Sequence, residues 1–496
     1  MFPLHDEENL KKLYGDWSQN PMKPPVQAIR DYFGENIALY VSFCAFYTKF
    51  LVPVALLGIV HFCLDRFLRI DFIYNNLLFA VLNLISVTIF LEMWKRKSNE
   101  HAFDFCTMGK LRLKRPRAAF RGEIGINPVT GVKEVQYPFK KTVQTVLTLS
   151  VPITSICLDL AFILMLLSFE SDKMMTYYLT DMETGLVYDD ILSQILLFVP
   201  TIIYSVLVLL FNLKYLQLAH WLTEKENHRT QEQFERHVVS KLILFEFVNT
   251  FLALFYIAFY LQDVAMLKSQ VSTMLIVIQL TNQLQETVLP FLLKRPSPRR
   301  MMKKIAKKLD NSHKKCSHHS IECVKCLPED DNEIAHALFN LEKNPYESTY
   351  DDFMELWLQF GHVFLFSSVY PLSAFFALLN NIFELKMDAY KLCKLTRKPT
   401  PRAVRDIGAW YLAFSITSVI SVMTNLTLLA MDKDVQAFAP DSRSRDWVLL
   451  FVIFEHIFLL LRIVIAKAIP DVSGKTKRKM DRNEFIISRR SAGKIE

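Results

Sequence analysis

Five carboxylates and two carboxamides stand at helical spacing in three consecutive apolar stretches. Asn282 and Glu286 are four residues apart, Asp352 and Glu355 three apart, and Asn380, Glu384 and Asp388 follow at intervals of four. Those intervals put each set on one face of a helix. An acid in hydrocarbon costs about 2.5–3.5 kcal/mol on insertion scales, so it marks a functional position by default. Brought to one depth, five carboxylates repel each other unless several are protonated or cations neutralise them. No Lys or Arg inside these helices is spaced to pair with them all. Carboxylate and amide oxygens are the hard donors that Ca²⁺ takes, six to eight at a time in flexible geometry. Mg²⁺ demands a tighter octahedron and keeps its waters. Two Ca²⁺ ions would nearly balance the five charges. The same spacing also suits acids that merely mark helix ends in the headgroup region, and spacing alone leaves both readings open.

Membrane helices must position these residues. Of 496 residues 51% are hydrophobic and 39 are Phe, while only 12 are Gly and 22% are charged. The apolar residues fall in runs of roughly 20–25, the length a helix needs to cross about 30 Å of hydrocarbon. An ordinary soluble enzyme, a disordered chain and a disulfide-stapled secreted module are all excluded. The expected class is an all-α polytopic membrane protein with ten transmembrane helices. The spans are expected at 37–62, 72–94, 142–168, 190–216, 241–261, 270–293, 353–371, 372–386, 407–431 and 446–469. Only the turn signal at Pro371 separates the seventh from the eighth. A short cytosolic segment, 1–36, precedes the membrane domain, 37–471, and a basic cytosolic tail, 472–496, follows it. The start, MFPLHDEENLKKLYGDW, has no early apolar core of the signal-peptide kind.

Loop charge gives the orientation, because Lys and Arg in short loops stay cytosolic. Lys95, Arg96, Lys97, Lys114, Arg115 and Arg117 load the loop at 95–141. Arg299, Arg300, Lys303, Lys304, Lys307 and Lys308 load the one at 294–351, and Lys475, Lys477, Arg478 and Lys479 the tail. The loop at 387–406 is basic too, whereas 168–189 is acidic. With ten spans and both termini cytosolic, every basic loop falls on one side, together with the cytosolic loop at 217–240. The net charge of +8 then reads as topology plus attraction to anionic headgroups. No recognition motif accompanies it, so no nucleic acid is expected as a partner. Of the eight cysteines only Cys63 lies near the far side. No pair can form there within one chain, which favours an internal membrane, the endoplasmic reticulum, over the plasma membrane.

The acids stand in TNQLQETVLP, DDFMELWLQFG and ALLNNIFELKMDAYKLC. IRDYFGENIALY precedes span one, FRGEIGINPVTG lies in the first cytosolic loop, ENHR stands before span five and FYIAF within it, and AIPD follows span ten. In this order the motifs resemble the anoctamin family of calcium-activated channels and lipid scramblases, along essentially the whole chain. The resemblance implies a two-calcium site on Asn282, Glu286, Asp352, Glu355, Asn380, Glu384 and Asp388. Asp352 stands where many members carry Glu, which shortens its reach. A further calcium site of some members would fall on Glu92 and Asp471, each otherwise a lone acid at a cytosolic span end. A homodimer is implied as well. Family members usually carry a folded cytosolic domain before span one, where about 36 residues stand here, so regulation resting on that domain is not expected.

Other features of the chain carry weaker chemistry. His313, Cys316, His318, His319, Cys323 and Cys326 in the 294–351 loop suit zinc but lack a second well-spaced pair, and reduced thiols are the plainer reading. Gly474-Lys475-Thr476 resembles the end of a P-loop but follows a membrane span rather than a strand. No enzyme motif is present. Asp159, Glu455 and His456 are polar residues at lipid depth, expected to be satisfied by neighbouring helices. Thr201, Tyr204, Ser205, Asn249, Thr250 and Gln279 suit either a hydrophilic groove or interhelical hydrogen bonding worth about 0.6 kcal/mol each. The expected function is calcium-activated phospholipid scrambling with weakly selective ion conduction, acting on membrane phospholipids, with anions as a further cargo. The alternatives are a calcium-activated chloride channel and a non-transporting membrane tether.

Overall fold

A computed structural model describes residues 3–64, 67, 72–108, 116–127, 131–179, 191–278, 340, 343–346, 348–436 and 444–492. Among the described residues, helices occupy nine of the ten expected spans and the first part of the sixth. They are Glu35–Cys63, Phe72–Asp104, Phe139–Leu179, Ile191–Lys225 and Gln231–Leu261, then Tyr350–Phe364, Ser373–Tyr390, Ala409–Met431 and Ser444–Ala468. Span six is described over Val264–Thr273 and a wide π turn, Met274–Ile278. Seven of the described helices are long and apolar enough to cross a membrane. The chain is an all-α polytopic membrane protein.

The expected boundaries shift where capping chemistry overrides hydropathy. Span five begins ten residues earlier than its apolar run, at Gln231, because Thr230 builds a capping box there. The Thr230 hydroxyl accepts from the Gln233 amide at 3.2 Å, and the Gln233 side chain accepts from the Thr230 amide at 3.3 Å. The expected loop 217–240 therefore shrinks to 226–230. Span seven ends at Phe364 rather than at the Pro371 turn. Asn425 of span nine, fully buried, donates to the carbonyls of Phe364 and Leu365 and accepts from the Ser368 amide. Those contacts satisfy the end groups of a helix that stops inside protein. The tail is itself helical over Gly474–Ala492, started by Ser473, whose hydroxyl accepts from the Thr476 amide. Among the described residues one antiparallel hairpin interrupts the helices, Glu123–Ile126 with Lys133–Gln136.

Two compact units divide the chain. The first comprises Met1–Met108, Val271–Ile407 and Ser418–Glu496. In it span one lies along spans two and eight, and a seam of rings fills the space between them and span seven. Phe43 meets Trp94 edge-on at 4.9 Å and Phe353 at 5.7 Å, and Phe90 lies against Phe50 at 4.7 Å. Tyr47 and Phe360 extend the seam toward Phe364. At Gly58 the backbone of span one closely approaches the turn before span eight: a Cβ there would collide with the Pro371 carbonyl oxygen. Gly58→Ala is expected to cost about 1–3 kcal/mol, the usual penalty of overpacking, read as a lower melting temperature in detergent. An unchanged melt would refute the close approach.

The second unit comprises Gly109–Gln270 and Gly408–Thr417. Spans three, four and five pack pairwise in it, with Tyr215 stacked on Phe245 at 4.0 Å. Asn249 donates to Asn212 at 3.1 Å, and Asn212 donates to Glu246 at 3.0 Å. Asn249 thus binds helix to helix, the second of the two roles its type allows.

Candidate calcium site

Span eight carries the site's densest charge because its polar residues recur on the face turned inward. Glu384 and Asp388 are 4% and 3% exposed, and Asn381, one turn before Glu384, is fully buried. Packing of span eight along span one brings Tyr40 over them, and its hydroxyl donates to Asp388 at 2.7 Å. Asp352 lies in the first turn of span seven, where the helix dipole favours an acid, and it too is buried. It accepts from the Tyr346 hydroxyl and pairs with Lys391 Nζ at 3.1 Å. Burial, with Asp352 alongside, pushes the Tyr346 phenol far above its ordinary range, so it stays a proton donor at any physiological pH.

The structure brings Asp352, Glu384 and Asp388 together: all three act electrostatically on the Tyr40 hydroxyl and on the buried Cys44 thiol. Glu355 and Asn380 are partly exposed on the same two helices. Asn282 and Glu286 lie outside the described residues, as does the Cys/His segment 313–326. Among the described residues neither amide atom of Asn381 has a hydrogen-bond partner. A fully buried amide left so is costly unless something else ligates it. The donor set is oxygen throughout, which fits a hard cation.

Glu92 lies within electrostatic range of Asp471 and of Lys95. Lys95 Nζ is 2.8 Å from the Asp471 carboxylate, and Asn99 donates to the Asp471 carbonyl at 2.9 Å. A cation there would have to share Asp471 with a lysine already in place. Asp159 and His456 are exposed on the protein surface.

Sequence reasoning missed two residues beside these acids, Lys391 and Asn381, and two acids of the second unit, Glu246 and Glu226. Lys391 follows span eight in a wide turn, Lys391–Leu395, and so escaped a search for bases inside the helices. Asn381 shares spacings of three and seven with Glu384 and Asp388, a signal that the neighbouring Asn380 masked. Glu246 is an acid within an apolar run, LILFEFVNT, and was legible as such. Glu226 ends the helix of span four and is fully buried. Burial alone would push its carboxyl up, but hydrogen bonds from His228, Lys241 and Ser150 outweigh it and hold it down at about 2. A carboxyl depressed on folding contributes stability above its unfolded value, and that contribution is lost as pH falls through the folded one. Acidification from about pH 4.5 to 2 should therefore loosen the 226–230 linker, and Glu226→Gln should flatten that dependence. Hydrogen exchange at the linker amides reads it; an identical acid profile in both proteins would refute the assignment.

The fold and the acid cluster define an all-α polytopic membrane protein with buried carboxylates on two neighbouring helices. The family model described as "Anoctamin: Calcium-activated chloride channel" matches residues 29–483, so this chain belongs to the anoctamin family. It is 37% identical to human Anoctamin-10 over 490 residues, covering 98% of this chain and 70% of that protein. Mouse Anoctamin-10 is 37% identical over 488 residues with the same coverage. Mouse Anoctamin-8 is 25% identical over 679 residues, covering 98% and 63%.

Proposed function

We propose that this protein is a calcium-activated phospholipid scramblase with weakly selective ion conduction, a transport protein rather than an enzyme. The observation that carries the reading is the burial of Asp352, Glu384 and Asp388 near Tyr40, beside the Asn381 amide, which has no hydrogen-bond partner among the described residues. Asn282, Glu286, Asp352, Glu355, Asn380, Glu384 and Asp388 would hold calcium, with Asn381 a candidate alongside them. The ion supplies positive charge that lets the carboxylates approach each other. Without it, like charges keep Glu286 away from Asp352 and Glu384, and that difference biases span six between two states.

Scrambling is preferred over anion conduction because an anion pore favours cationic side chains along its path. Within the membrane parts of spans three to six cationic side chains are few, with Lys214 near a cytosolic end and Lys268 in the second turn of span six. Among the described polar groups the two acids, Asp159 and Glu246, are outnumbered by hydroxyls and amides. Such groups suit zwitterionic headgroups whose tails stay in lipid. A homodimer follows from the family resemblance, and span ten presents Leu449, Ile453, Leu460 and Val464 as an apolar face open to lipid or to a second copy. The endoplasmic reticulum is the favoured membrane. Purified protein in vesicles, read for fluorescent-lipid exposure and chloride efflux together, tests the reading. Lipid exposure should rise with calcium and show poor headgroup selectivity. Chloride-selective efflux without lipid movement would make it a channel, and silence in both assays with retained binding to anionic vesicles would make it a tether.

A further inference from the structure

The linker between spans four and five gathers donors of a different chemistry from the calcium site. Glu226 Oε1 accepts from Ser150 at 2.5 Å and from Lys241 at 2.8 Å, which commits that oxygen. Glu226 Oε2 faces two imidazoles instead, His228 Nε2 at 2.7 Å and His237 Nδ1 at 3.7 Å. The two rings stack with centroids 4.0 Å apart. One ligand atom from each of the three residues lies within 4.8 Å of the others. A plain ion pair needs only one of these histidines, and at 3.7 Å the second makes no hydrogen bond.

We propose that Glu226, His228 and His237 bind one borderline transition-metal cation, Zn²⁺ foremost, at the junction of spans four and five. Two imidazoles and one carboxylate form the donor set of open zinc sites, in which water takes the fourth position. Hard cations such as calcium avoid imidazole, so the two sites do not compete for one ion. Zinc–ligand bonds of about 2.0–2.2 Å in a tetrahedron set ligand atoms about 3.3 Å apart. The observed separations of 2.7 and 3.7 Å bracket that value, so small side-chain adjustments close the site. Ser150 and Lys241 already orient the carboxylate from behind, as supporting hydrogen bonds do around metal ligands. A cleft of about 680 Å³ has His228 and His237 in its wall and gives an ion a way in and room for water. Its two arginines, Arg229 and Arg236, are engaged by Glu134 and Glu232. A bound ion would tie the linker to the first two turns of span five.

The test uses full-length protein in detergent with Cys316, Cys323 and Cys326 replaced by Ser, so that loop thiols contribute no binding. Equilibrium dialysis against Zn²⁺ should retain one ion per chain, and His228→Ala and His237→Ala should each weaken binding at least tenfold. Co²⁺ in place of Zn²⁺ should give visible ligand-field bands without a thiolate charge-transfer band. His237 is 44% exposed, so its variant decides the matter if His228→Ala fails to fold. No retained zinc in the parent, or retention unchanged in His237→Ala, overturns the site.

Discussion

Glu384→Gln is expected to shift the calcium response to at least tenfold higher calcium, with Glu286→Gln doing the same. Glutamine keeps the shape of the side chain and removes one negative charge from a group only 4% exposed. Electrostatic coupling of about 1.4 kcal/mol between the carboxylate and bound cations already gives a factor of ten. Burial makes that a modest demand, since water screens little there. Calcium titration of lipid exposure in vesicles reads the shift. Two variants with the parent's response would sink the assignment of these acids to calcium.

Lys391→Met is expected to act in the opposite direction, lowering the calcium needed by about five- to tenfold. The Lys391 ammonium sits 3.1 Å from Asp352 and partly neutralises the site from within. A cation arriving at Asp352 must displace that lysine or tolerate its repulsion, and the mutation removes the competitor. The shift corresponds to roughly 1–1.4 kcal/mol, a small part of what two charges at this distance exchange at an effective dielectric of about 20. Methionine preserves most of the stem's packing. Lys391→Arg, which keeps the charge, should leave the response near the parent's. A melt lowered in Lys391→Met without any change in calcium response would reduce Lys391 to a structural partner.

What the sequence disclosed and what it withheld follow from the range of the forces involved. Hydropathy located the spans because burial in lipid acts on every residue of a run. Acids at intervals of three and four were legible because the α-helix turns that spacing into one face. Pairings across the fold were not legible. Lys391 and Asp352 are 39 positions apart, Tyr40 and Asp388 are 348 apart, and Ser150 meets Glu226 across 76. Asn425 illustrates the limit well: it decides where span seven ends, yet it lies 60 residues beyond Leu365. Thr230 with Gln233 is the opposite case, a local signal strong enough to move a boundary that hydropathy placed ten residues late.

The ring seam of Phe43, Phe90, Trp94, Phe353 and Phe360 bears on how this protein can do mechanical work. Close-packed interiors pass displacement on rather than absorbing it. With spans one, two and seven wedged against each other by stiff rings, and Tyr40 extending that wedge to Asp388, this side of the acid cluster behaves as an abutment. Under the calcium gating proposed above, force developed among the carboxylates would have no slack to take up on this side. It would be delivered to whatever borders the cluster elsewhere, so that little of the stroke is lost as internal give.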